Sequence, residues 1–205
     1  MNIALILLMI VVAWRVLCLR YQRTHIALLA QHLAGFQLER HMETLTQGYT
    51  RAIHEEAETR QIQVLETFAQ TERTVAVQVQ SLADAMQKES AQAASIGSLP
   101  FCVPYAELFL PNLTRDFREL LRIHAIGLRH VVDNEDSLDI KNRAYHLSAE
   151  LYLLQHSCHW FCKSRGVADT RLALRHQVTH QKVLESVSAT TRSAYLRWLG
   201  NANER

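Results

Sequence analysis

Residues Ile3 to Leu19 form an apolar run broken only by Arg15, and no other stretch limits the chain's possible folds so tightly. At about 1.5 Å of helical rise per residue, such a run spans roughly 25 Å, slightly short of a ~30 Å hydrocarbon core. Arg15 lies near its end and can snorkel to the interface, so the sequence predicts a membrane anchor over residues 1–21. A cleaved signal peptide fits less well, because no basic residue precedes the run and no small-x-small site follows it. A third reading is an apolar helix buried in a partner. Basic residues gather on the cytoplasmic flank of membrane helices, and Arg15, Arg20 and Arg23 lie at or after the end of the run. The expectation is a single-pass inner-membrane protein with its amino terminus outside and its body cytoplasmic.

The body is predicted to be all-α: a long coiled-coil-like helix and then a small three-helix bundle. Six Gly and three Pro are few for a chain that is 48% hydrophobic, and no segment alternates as hairpin strands do. Residues 22–95 read as a helical stalk, straight or folded at Gly48. Leu65, Phe68, Glu72, Val75, Val79, Leu82, Met86, Glu89 and Ala93 recur at steps of three and four, the spacing of a coiled-coil seam. Glu72 and Glu89 on that seam disfavour a tight parallel dimer, which leaves two partners for it: a second copy of the chain, or the chain's own later helices. Glu55, Glu56 and Glu58 read as a solvated acidic face.

Residues 96–112 carry Gly97, Pro100, Pro104 and Pro111 in a very apolar context, which predicts a buried connector. Residues 113–200 should hold three helices. The first is capped by Thr114 with Asp116 in its first turn, and the second, capped by Asp136 or Ser137, stops at Gly166. The third runs unbroken from about Asp169 to Leu199 and ends at Gly200. A tail follows at 201–205.

Seven of the 11 histidines fall between residues 124 and 180. His176 and His180, spaced i,i+4, could share a metal on one helix face, with Cys158, His159 and Cys162 on the preceding helix; thiolates and imidazoles suit zinc or copper. Against this, Gln177 stands where a His-Glu-x-x-His motif needs Glu, and Cys158 also fits the core. His124 or His130, then His146-x3-Glu150, then His176-x3-His180, is an order that resembles the ligand sequence of hemerythrin-like di-iron bundles. That resemblance implies an iron site in a helical bundle, and it lacks the family's final His and Asp ligands. Arg115, Arg118, Arg122 and Arg129 read as a basic face for an acidic protein surface. Nucleic acid is disfavoured, since no aromatics interleave them and net charge is only +2.

The four cysteines read as free thiols of a reducing compartment. No Walker loop, dinucleotide fingerprint or nucleophile elbow occurs, so catalysis has no motif behind it. The expected function is a membrane-anchored scaffold or assembly subunit that positions a helical docking domain at the membrane. A metal- or redox-sensing module and a membrane-linked signalling coiled coil are its rivals.

Overall fold

A computed structural model describes residues 3–53, 55 and 57–200; the tail at 201–205 and Glu56 of the acidic cluster lie outside the described residues. The class is all-α, with ten α-helices and one two-stranded ladder among the described residues.

Helix α1 (Ile3–Leu33) carries an 18-residue window of mean hydropathy 2.4, long and apolar enough to cross a membrane. Only 6% of that window is buried in the fold, so it is no core helix of this chain. Farther along, Cys18, His25 and Leu29 are buried against the body. The chain turns at Ala34 to Gln37 into α2 (Leu38–Ile53), then α3 (Glu58–Glu66) and α4 (Ala69–Met86). Gly48 is no bend. It lies inside α2, where a Cβ would collide with the Phe68 ring.

The stalk is therefore a set of folded-back helices. Of the seam, Leu65, Val75, Val79, Leu82 and Met86 are 0–2% exposed, and Phe68 packs partly buried against the same core. The seam's partner is the chain itself, because α4 packs against the later helix α6 (Phe117–Val132). Its two acidic positions find partners within the chain. Glu72 accepts from Tyr49 Oη at 2.6 Å and pairs with Arg143 at 3.0 Å, and Glu89 pairs with His32 at 2.8 Å.

Strand β1 (Ser95–Gly97) pairs antiparallel with β2 (Thr114–Asp116), Ser95 opposite Asp116. The connector between them contains α5 (Ala106–Phe109) and a 3-10 turn at Pro111–Leu113. It is not buried as expected: Phe101 is 61% exposed and Phe109 78%. Asp116, rather than Thr114, caps α6 by accepting from Arg118 N.

Helix α7 (Ile140–Cys162) is the central element, touched by α6, α1, α2 and α3 as well as by the helices that follow. Its cap is Asp139, which accepts from Lys141 N and Asn142 N and replaces the expected Asp136 or Ser137. The predicted stripe holds: Ala144, Leu147, Leu151, Leu154 and Phe161 are buried, with Ile140 and Cys158 packed at its edges.

The predicted third helix is three. They are α8 (Arg165–His176), α9 (His180–Ser186) and α10 (Ala189–Leu199), each opened by a hydroxyl cap: Ser164, Thr179 and Ser188. Gly166 lies in α8's first turn instead of stopping α7. Gly200, at φ 85°, ends α10 as the sequence predicts.

Candidate functional site

The best-organised surface feature is the junction where α1 leaves its bare apolar stretch and enters the body. Cys18 Sγ donates to the Cys102 carbonyl at 3.6 Å, and Tyr21 Oη donates to Glu107 at 3.2 Å. The Tyr21 ring stands edge-on to Tyr105 at 5.4 Å, and Lys163 Nζ reaches Gln22 at 3.2 Å. Deeper in, the His25 ring lies 3.0 Å from the Tyr21 carbonyl and 3.3 Å from the Ser95 carbonyl, edge-on to Phe161. Polar links to the connector, β1 and α7 thus fix one helix within the body. Residues at i, i+3, i+4 and i+7 of α1 share the face that makes them.

Below that junction, α1 and α2 enclose with α7 and α8 a cleft of about 210 Å3, walled by Leu29, Leu33, Leu38, Met42, Leu151 and Leu154. Four of the five predicted metal ligands, Cys158, His159, Cys162 and His176, line it. Burial raises both thiols, Cys162 to about 11, so they are protonated at neutral pH. Burial, with Arg171 adding, lowers His159 to about 4; burial and Arg175 lower His176. Neutral thiols and imidazoles among leucines make an apolar cleft with a few weak hydrogen-bonding groups, the usual make-up of a binding site.

The fifth candidate, His180, lies elsewhere. Helix α8 ends at His176, Gln177 turns with φ 54°, and α9 begins at His180, so the i,i+4 relation fails. His176 hydrogen-bonds Gln155 at 2.9 Å, while His180 meets Tyr195 Oη at 3.0 Å and lies tilted against the His156 ring at 4.4 Å. Among the described residues no group of three or more His, Cys, Asp or Glu could hold a metal ion, iron included. The hemerythrin-like order is likewise dispersed. His124 bonds Ser157, His130 bonds Glu135 and Asp136, and Glu150 accepts from Ser188.

The His130 bonds are exposed, while the His124–Ser157 and Glu150–Ser188 pairs belong to a buried polar layer around α7 that the periodicity did not reveal. Glu150 Oε1 accepts from Ser188 N at 3.1 Å and Oγ at 2.9 Å, and burial outweighs those bonds to lift its carboxyl to about 7. Burial lowers His124 to about 3 and His180 to about 4, and lowers His156 despite its 2.8 Å bond to Asp169. His124, Ser157 and Glu150 are 0% exposed, so no substrate meets them. Their work is to join α6, α7 and α10, which approach so closely that a Cβ on Gly127 would strike Thr191 Oγ1. The clue in the sequence was Ser188 and Thr191, two hydroxyls spaced to cap a helix.

The predicted basic face is also dispersed. Arg115 belongs to β2, where it is held by the carbonyls of Asn112, Thr114 and Leu199. Arg118 forks onto Asp116 and reaches the Glu89 carbonyl. Of the four arginines, only Arg122 and Arg129 are exposed on α6, Arg129 near Asp133 at 3.6 Å. Comparison with family models, curated proteins and solved structures finds no match for this chain.

Proposed function

We propose that the protein is a single-pass, membrane-anchored helical adaptor, a scaffold or assembly subunit rather than an enzyme, whose body is held rigidly against the cytoplasmic face of the membrane. One observation carries this reading: the same 31-residue helix is bare where it is apolar all round and bonded into the body beyond Cys18. A flexible leash would let the body wander; a continuous helix sets its height and tilt. The basic flank of Arg15, Arg20 and Arg23 supports the inward orientation.

The docking surface for a partner protein is the cleft beside α2, with apolar walls and Glu43 and Arg175 at its rim. Neither rival gains support. The signalling coiled coil needs a free seam, and α4 uses its seam internally; the metal module needs three or more ligands in reach of one ion, and no such group occurs among the described residues. Self-association through the stalk loses support for the first of these reasons.

The test is an alkaline carbonate wash of membranes containing the full-length chain. Retention of the unprocessed chain in the pellet, with the body digested by protease in inverted vesicles only, is the expected result. Release into the supernatant overturns the reading. A photo-crosslinking residue at Met42 should then give one discrete adduct in intact membranes, and none at the exposed Leu174.

A further inference from the structure

The described surface outside α1 exposes large apolar side chains singly, such as Ile53 on α2, Val77 on α4, Ile126 on α6 and Leu174 on α8. The connector is different. Phe101, Tyr105, Leu108, Phe109, Leu110 and Leu113 are each 36–78% exposed within thirteen residues. Exposed apolar surface concentrated in this way marks an interaction site.

From this patch and its place beside α1 we infer that the connector is a second membrane-contacting element, a prong that enters the headgroup layer of the bilayer crossed by α1. This rests on the proposed tether and adds a contact that the tether alone does not require. Three observations select lipid as the occupant. The connector is bonded to α1 through Cys102 and Glu107 at the level of Cys18 and Tyr21, where the bare apolar helix ends. Phe101 and Pro100 share a cavity with Trp14 and Arg15, so the patch continues the helix's own lipid-facing surface. The charges around it are basic: Arg15, Arg20 and Arg23 are exposed on α1, and Arg171 lines the same cavity. Glu107, the acidic group there, is engaged by Tyr21. Aromatic and leucine side chains beneath a basic collar suit an anionic bilayer surface.

The prong is fixed rather than loose. Ser98 donates both N–H and Oγ–H to the Leu113 carbonyl at 2.8 Å, and Gly166 N donates to the Pro100 carbonyl at 2.9 Å. Its exposed apolar side chains are thus held outward with nothing of the described chain over them.

The test uses the full-length protein in vesicles of phosphatidylcholine and phosphatidylglycerol whose acyl chains carry bromine near the headgroup. Native Trp14 reports insertion of α1, while Trp160 and Trp198 are buried in the body. Phe109→Trp should add a blue-shifted emission that the bromolipid quenches, and Leu174→Trp should add one that it leaves alone. Unquenched Trp emission from the Phe109→Trp protein, with Trp14 still quenched, overturns the prong and leaves the tether standing. Loss of Trp14 quenching overturns both. Phe109 is 78% exposed, so its replacement leaves the fold intact, which circular dichroism checks.

Discussion

Helices α1 and α4 both carry rows of large apolar side chains, and the molecule treats them oppositely. In α4, Val75, Val79, Leu82 and Met86 are 0–1% exposed, while in α1 Leu7, Leu8, Met9 and Ile10 are 58–64% exposed. The difference lies in periodicity. An apolar stripe at steps of three and four needs one covered face, and a helix partner supplies it. Apolar residues on all sides need an apolar surround, and no helix of the described body provides one. The same side chains therefore stabilise the fold in one helix and, in the proposed anchor, direct its location in the other.

The contrast breaks most sharply at Glu72, the charged member of α4's stripe, whose side chain is 3% exposed beside Arg143. Glu72→Ala leaves that guanidinium and Tyr49 Oη facing a buried gap, an expected loss of about 3–5 kcal/mol. Urea unfolding in detergent, followed by circular dichroism, measures it. A loss under about 1 kcal/mol, the range of surface pairs, would mean that α4 is not held against α7. Leu82→Ala is the apolar counterpart, expected to cost about 2–5 kcal/mol, against no measurable change in body stability for Leu7→Ala in α1. Equal effects of the two substitutions would erase the distinction between the helices.

The opposite probe is Leu8→Asp, in the bare half of α1. A carboxylate at the centre of a membrane helix costs about 3 kcal/mol of insertion. The expected outcome is a larger carbonate-extractable fraction with an unchanged urea midpoint for the body. A lower midpoint with no change in extraction would show that α1 packs within the protein after all.

How much of this was legible in the sequence follows from the same contrast. The apolar run and the α7 stripe could be read; for the seam, Glu72 and Glu89 spoke against a tight parallel dimer but left open a second copy or the chain's own later helices, and only the fold decides between them. The breaks at Gln177 and Val187 could not be read. No Gly or Pro marks them, Gln177 takes φ 54° without being glycine, and hydroxyl caps at Thr179 and Ser188 restart the helix each time. That break is what separates His176 from His180 and dissolves the metal reading. The connector was misread because apolar character predicts leaving water, and a protein core and a bilayer satisfy it equally.

Acid should act on the body and spare the tether. His124 at about 3, His159 and His180 at about 4, with His156 and His176 also lowered, are bases whose folded values lie below their ordinary ones. The unfolded chain binds their protons first, so stability is full above about pH 6.5 and falls as pH drops toward 4, by up to ~1.4 kcal/mol per pH unit for each proton. Glu150, raised to about 7, works in the reverse sense: its contribution is complete below the ordinary carboxyl value and lost as pH rises through 7. Five histidines oppose that carboxyl and His130, which, against its burial, bonds to Asp136 and Glu135 raise, so the net slope favours neutral pH over pH 5. His124→Leu should flatten it by about one proton's worth. Residues 3–19 hold no carboxylate or histidine, so the chain should remain in the membrane pellet at pH 4.5 while protease sensitivity of the body rises. Release from the membrane over the same pH range would mean that α1 is held by the folded body and not by lipid.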